Sequence, residues 1–412
     1  MKRGWIGRGL CALCAAVWLG AMPVYAEGSD DDTMDYYEEG VAVTDAEVTE
    51  IPARSAILMD AASGRVLFEK NADEPMPPAS MTKIMTLLLT FEALEDGTLT
   101  PGQTVTASEN AASMGGTQIW LEPGEEMLLE DLIKAAAVGS ANDAAMALGE
   151  AVSGSETAFV SLMNERAKEL GMANTRFENP TGLDADGHLS TARDIALMSR
   201  ELMKYPDALA YTSIWMDTLR GGETALVNTN KLVRFYPGCV GLKTGTTDGA
   251  GSCLSAAAVR DGLSLIAVSM GSATSADRFR SCRILLDYGF SAFESYQPAV
   301  SAEELTPAVV TKGTETSVSL VCGEAAPVLV PKGRSGDVRK TLTLETETEA
   351  PVEKGQSMGR AVFTLDGEIL CELEITAAET VGRMDFRTAL AILWRKLLGH
   401  DTQFVQILPR EN

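Results

Sequence analysis

Ser80 and Lys83 stand three residues apart in Met76-Pro77-Pro78-Ala79-Ser80-Met81-Thr82-Lys83, just ahead of the apolar run Ile84, Met85, Leu87, Leu88, Leu89. The prolines end any extended segment, and the run reads as a buried helix that begins near Ser80. Residues three apart share a helix face, so the Lys83 amine comes within reach of the Ser80 hydroxyl. A serine alcohol is a weak nucleophile. A lysine activates it only when burial or a second cation lowers the amine's pKa. Two further stretches carry related chemistry. Ser140-Ala141-Asn142 sets a hydroxyl and a carboxamide in a tight interhelical loop. Lys243-Thr244-Gly245-Thr246 puts a cation, a hydroxyl and a bare backbone on a strand, where an extended peptide with a terminal carboxylate could lie. Taken singly, each has an ordinary explanation. Ser-x-x-Lys can be a solvated helix edge, Ser140, Asn142 or Asp143 can cap the next helix, and Lys-Thr-Gly is often only a turn. His188 with Asp194 invites a Ser-His-Asp reading, but the spacing favours a structural histidine that holds its loop.

The three stretches together, in this order and at these separations, resemble the motif set of the serine penicillin-recognising enzymes. Residues from about 50 to 290 look like the low-molecular-mass penicillin-binding proteins that act as D-alanyl-D-alanine carboxypeptidases, and Asn179-Pro180-Thr181-Gly182-Leu183 and Gly241-Leu242-Lys243 add to the likeness. The resemblance implies an α+β, β-lactamase/transpeptidase-like domain, no cofactor and no metal. It implies Ser80 as nucleophile, Lys83 as general base and Ser140 as proton relay toward the leaving amine. Asn142 would hold the substrate amide, and Lys243 would place positive charge near Ser140 and the substrate carboxylate. Thr244 and Gly245 would line the substrate strand, and the backbone N–H groups of Ser80 and Thr246 would form the oxyanion hole. Arg278 matches an arginine that helps bind the terminal carboxylate, although Arg280 lies close by. Some relatives have histidine where this chain has Thr246.

The elements that must position these groups follow from local pattern. Ser55 to Asp60 and Val66 to Lys70 read as a hairpin around Ala62-Ser63-Gly64. Met127 to Val138, a helix from Ser140-Asn142 to about Val152, and Glu156 to Leu170 read as helices. Cys253 to Val259 and Leu263 to Met270 read as paired antiparallel strands joined at Arg260-Asp261-Gly262. The helices are expected to cover a sheet made of the hairpin, the Lys243 strand and these two strands. From about Ser295, alternation at Val318, Leu320, Cys322 and at Ile369, Cys371, Leu373, Ile375, with a turn at Asp366-Gly367, predicts a small antiparallel β-domain.

At 412 residues the chain has room for several domains. Lys2, Arg3 and Arg8, the apolar stretch Gly9 to Gly20 and Val24-Tyr25-Ala26 read as a secretory signal over 1–26. Removing it takes the formal charge from −24 to −27, since it contains three basic residues and no acidic one. That balance argues against nucleic acid as a partner and against a uniformly membrane-adsorbed surface. Residues 27–50 are acidic, without Lys or Arg, and read as a disordered tether. The expected organisation continues with a catalytic domain at 51–292, the β-rich domain at 293–380, and a helix and tail at 381–412. In that last part Phe386, Leu390, Leu393, Trp394 and Leu397 share one face, bordered by Arg383, Arg387, Arg395 and Lys396, as suits a helix lying in a membrane interface. The five cysteines beyond residue 26 show no metal spacing and read as small buried hydrophobes rather than a disulfide framework.

The expected partners are therefore a peptidoglycan stem peptide as substrate, β-lactam antibiotics as inhibitors and a membrane surface under the C-terminal helix. The competing readings are a D,D-endopeptidase, a serine β-lactamase and a non-catalytic wall-binding scaffold. A class A β-lactamase needs a glutamate that activates the deacylating water from a loop after Ser-x-Asn. The loop from Asn179 to Asp194 has Glu178 before it but no recognisable form of that pattern.

Overall fold

The computed structural model describes residues 48–397, so the proposed signal segment, most of the acidic tract and the last residues of the C-terminal tail lie outside the described residues. A five-stranded antiparallel sheet organises the first domain. Its strands are β1 (Ser55–Asp60), β2 (Val66–Lys70), β3 (Cys239–Thr247), β4 (Gly251–Arg260) and β5 (Leu263–Ser272), in the order β2-β1-β5-β4-β3. The hairpin and the later strands thus pair as expected, with Ala56 opposite Ser269 and Lys243 opposite Ser255. β3 is an edge strand, so one side of its backbone is unpaired within the sheet.

Both sheet faces are covered, which explains why β4 and β5 read as almost continuous apolar runs. Ala257, Ile266 and Val268 face one core, while Ala256, Ala258, Leu265 and Ala267 face another. The first core is filled by α1 (Lys83–Glu95), α2 (Leu129–Ala137), α3 (Asn142–Ser153), α4 (Glu156–Glu169) and α5 (Ala192–Leu202). α1 is buried nearly all round, through Ile84, Met85, Leu87, Leu88, Leu89 and Phe91, and forms the centre of the helical layer. The opposite face carries α6 (Ser275–Ala292), whose Phe279, Cys282, Leu285 and Leu286 pack on the sheet together with Val48 and Ile51. Packed chain therefore begins by Val48.

Two local expectations need correction. Ser80 sits in a short 3-10 turn, Ala79–Thr82, and the α-helix starts only at Lys83. The i,i+3 relation survives because a 3-10 turn stacks residues three apart. Met127 belongs to a short strand, Glu126–Leu128, paired with Thr104–Thr106, so that helix begins at Leu129.

The C-terminal region from Phe293 has its own core around Val310, Val352, Met358, Phe363 and Ile375. A four-stranded antiparallel sheet holds Leu320–Cys322, Glu368–Ala377, Ser357–Leu365 and Arg339–Leu344 in that order. Asp366 and Gly367 both have positive φ, 52° and 88°, as a two-residue hairpin turn of this twist requires. One pairing departs from the antiparallel expectation, since Ala308–Thr311 runs parallel to Glu347–Glu349. The long crossover between them, residues 312–346, lets the chain return in the same direction.

Candidate active site

Ala79 has φ +48°, and this left-handed residue turns the chain so that Ser80 opens the helical layer next to β3. The approach is close. A Cβ on Gly245 would lie 3.0 Å from the Ser80 nitrogen and 3.0 Å from the Pro78 oxygen. Lys83, fully buried, projects back beneath Ser80. Its Nζ lies 3.2 Å from Ser80 Oγ, 2.5 Å from Asn142 Oδ1 and 2.7 Å from the Thr181 carbonyl oxygen. Asn142 Nδ2 donates to the Gly115 carbonyl at 2.7 Å, which orients its oxygen toward the lysine.

This geometry has a protonation consequence. Burial, and then the charge of Lys243, hold the Lys83 amine well below the usual lysine range, against a weaker upward pull from Asp143. A neutral amine has two N–H donors and one lone pair. Asn142 Oδ1 and the Thr181 carbonyl can only accept, so they take both donors. When the amine is unprotonated, its lone pair is then left for the Ser80 hydroxyl proton, the arrangement a general base needs.

Ser140 is buried and has φ +63° in the turn between α2 and α3. The capping expectation fails here. The N-cap of α3 is Ala141 and makes no side-chain cap bond. Asn142 is instead drawn to Lys83, while buried Asp143 accepts from the backbone N–H groups of Ile119 (3.1 Å) and Leu121 (3.0 Å). The pair ties the 115–121 loop to the start of α3, and the Asn142 N–H donates to the Thr117 carbonyl at 2.7 Å.

Lys243 and Thr244 are buried on β3. Burial first, and then the nearby Arg278 charge, bring the Lys243 amine down to about 7. Thr244 Oγ1 donates to Thr229 Oγ1 at 2.7 Å, and the Thr229 N–H reaches the Val138 carbonyl at 3.3 Å, so β3 is joined to the segment leading into Ser140. Arg278 Nη1 donates to Thr246 Oγ1 at 2.8 Å and to the Gly245 carbonyl at 3.2 Å. Arg280 is exposed two residues on, so helical phase selects Arg278. Its burial lowers the guanidinium to about 10. Lys243 and Arg278 thus form a buried basic pair beside Lys83, suited to an anionic ligand.

The loop carrying Thr181 is fixed by its own polar bonds. Asn179 Oδ1 accepts from the N–H groups of Thr181 (3.1 Å) and Gly182 (2.7 Å), and Thr86 Oγ1 donates to the Pro180 carbonyl at 2.7 Å. His188 Nδ1 accepts from the Glu178 N–H at 3.1 Å, so its Nε2 carries the proton and donates to Thr82 Oγ1 at 2.8 Å. Burial pushes the imidazole down to about 4, keeping it neutral. Asp194 is occupied by Asn174 N and Thr175 Oγ1, so His188 is the structural histidine expected and no Ser-His-Asp triad forms. Sequence reasoning gave no role to the Thr181 carbonyl, Thr229 or the loop-holding bonds of Asp143. A backbone carbonyl has no residue signature. Among the described residues, the five cysteines are free and no group of three potential metal ligands occurs.

Comparison with known proteins matches this arrangement. The family model described as D-alanyl-D-alanine carboxypeptidase matches residues 42–274, and that of the C-terminal domain of penicillin-binding protein 5 matches residues 293–383. D-alanyl-D-alanine carboxypeptidase DacF of Bacillus subtilis is 42% identical over 356 residues, covering 85% of this chain and 90% of the relative. DacC of Escherichia coli is 38% identical, covering 81% of this chain and 86% of its own length. The crystal structure of penicillin-binding protein 5 from Haemophilus influenzae superimposes with a TM-score of 0.69 at 31% identity, over 81% of this chain and 98% of that one. Penicillin-binding protein D2 of Listeria monocytogenes, solved in an ampicillin-bound form, matches 58% of this chain and 98% of its own at 33% identity and a TM-score of 0.54. With its Ser80–Lys83 centre beside the β3 edge and both matched regions in place, the chain belongs to the D-alanyl-D-alanine carboxypeptidase family of low-molecular-mass penicillin-binding proteins.

Proposed function

We propose that this protein is an exported serine D,D-carboxypeptidase that removes the terminal D-alanine from peptidoglycan stem peptides through an acyl-enzyme. The observation that carries this reading is the buried Lys83 amine, whose Nζ lies 3.2 Å from Ser80 Oγ and donates to Asn142 Oδ1 and the Thr181 carbonyl. The substrate adds as a strand to the free edge of β3, its terminal carboxylate toward Lys243, Thr244 and Arg278. Ser80 Oγ attacks the carbonyl of the penultimate D-alanine as its proton passes to Lys83 Nζ. The N–H groups of Ser80 and Thr246 hold the oxyanion. Asn142 engages the substrate amide. Ser140, beside the charge of Lys243, passes a proton to the leaving amine, so D-alanine departs and the Ser80 ester remains. Water then attacks that ester, gives up a proton, and restores the hydroxyl. A β-lactam carbonyl enters the same attack, but its ring nitrogen stays tethered to the acyl group.

Fluorescent-penicillin labelling and D-alanine release from a diacetyl-lysyl-D-Ala-D-Ala peptide test this together. The wild type should show both, and Ser80→Ala neither. Labelling that persists in Ser80→Ala would overturn the nucleophile assignment.

For the C-terminal helix Phe386–Leu397, we propose peripheral attachment to the outer face of the cytoplasmic membrane. Phe386, Leu390, Leu393 and Trp394 are all exposed, 81%, 42%, 55% and 57%, and form an apolar stripe on the helix surface. No described helix is long and apolar enough to cross a membrane. Truncation after Thr380 should move active enzyme from the membrane to the soluble fraction. Identical partitioning of truncated and full-length protein would remove the anchor.

A further inference from the structure

β3 ends at Thr247, whose Oγ1 donates to Asp184 Oδ1 at 2.7 Å. Asp184 lies on the same loop as the Thr181 carbonyl that faces Lys83, and it is exposed. The neighbouring Glu178 is already paired with Arg176, but among the described residues no lysine or arginine pairs with Asp184. Thr247 uses one of the acceptor positions of this carboxylate and leaves the others open. A side chain at Gly249 would stand 3.5 Å from Asp184 Oδ2, and glycine leaves that oxygen uncovered. Across the mouth of the site, Leu183 approaches Gly116, where a Cβ would be 3.7 Å from Leu183 Cδ2. Asp184 therefore stands where the strand edge leaves the catalytic centre.

The direction of a bound peptide follows from the proposed strand addition, on which this inference rests. With its carboxylate at Lys243 and Thr244 and its scissile carbonyl between Ser80 and Thr246, the peptide runs antiparallel to β3. Each residue advances it by about 3.3 Å. The residue preceding the two D-alanines then falls beside Thr247 and Asp184. We propose that Asp184 is a specificity-determining residue that reads a cationic side-chain amine on this residue of the substrate. Thr247 positions the carboxylate through its hydrogen bond, and the amine meets the uncovered oxygen.

The test uses the full chain and two Nα-acetylated Lys-D-Ala-D-Ala peptides, one with a free ε-amine and one Nε-acetylated. The wild type should cleave the free-amine peptide with a kcat/KM about two- to fivefold higher, as expected of one part-exposed ion pair. The preference should shrink between about 0.05 M and about 0.5 M NaCl, where the Debye length falls severalfold. Asp184→Asn should bring the ratio to about one, and Asp184→Glu should keep part of it. A wild-type ratio of one, a ratio insensitive to salt, or a preference that survives in Asp184→Asn would each overturn the proposal. The salt series needs no variant, so it decides even if Asp184→Asn fails to fold. Failure to cleave either peptide would count instead against the carboxypeptidase reading.

Discussion

Lys83→Met should slow penicillin acylation and D-alanine release by about 10²–10⁴-fold, the contribution of a well-placed general base. Methionine approximates the length of the lysine side chain but has no basic nitrogen to take the Ser80 proton. It also leaves Asn142 Oδ1 and the Thr181 carbonyl without their shared donor. Lys83→Arg separates the two effects, because it keeps a donor and a charge but cannot titrate in the working range. Stopped-flow acylation of the three proteins, with melting curves to verify folding, measures this. Normal acylation by Lys83→Arg would exclude Lys83 as the base.

The wild-type pH profile carries the matching sign. Acylation should rise with pH as Lys83, held well below the usual lysine range, loses its proton. For the carboxylate-bearing peptide, kcat/KM should then fall on the alkaline side, since the Lys243 charge is present below about 7 and lost above it in the free enzyme. Omitting the substrate carboxylate should weaken the alkaline limb, because the charge that titrates has then lost its partner.

Gly182→Ala should be the most damaging change outside the side chains proposed to carry the reaction. Gly182 has φ +86°, and a Cβ there would stand 1.9 Å from the Ala79 carbonyl oxygen and 2.9 Å from the Ser80 nitrogen. Neither neighbour is a flexible side-chain end. The loop or the Ser80 turn must move. The left-handed backbone alone costs an alanine about 1–2 kcal/mol, and overpacking adds about 1–3 kcal/mol. Gly154→Ala supplies the control, since Gly154 has φ +82° with nothing within 4 Å of the added Cβ. Gly182→Ala should melt several degrees below Gly154→Ala and lose at least about tenfold in acylation, while Gly154→Ala should pay only the backbone cost. Equal melting and acylation in the two variants would show that the loop does not clamp the nucleophile.

The local elements of this protein were legible along the chain. Hairpin periodicity placed β1 and β2, the Asp366-Gly367 turn was readable because its positive φ values favour these residue types, and Ser80 and Lys83 meet through an i,i+3 relation that needs only a helical turn. The remaining interactions join residues far apart. Thr181 reaches Lys83 across 98 positions, Asn142 across 59, and Thr229 bonds Thr244 through a hydroxyl with no distinguishing neighbours. Asp143 looked like a helix cap because that is the commoner local use of an aspartate before an apolar run; its carboxylate does accept from the Ala144 N–H at 2.9 Å, but tertiary packing also brought two loop amides to it. Helix phase against the sheet, not sequence position, separated Arg278 from Arg280. The sequence by itself determined which groups could do the chemistry and the order in which they occur. Only the tertiary structure decided that Lys83 is buried, flanked by two carbonyls and close to Lys243, because desolvation and long-range contact depend on what the rest of the chain packs around it.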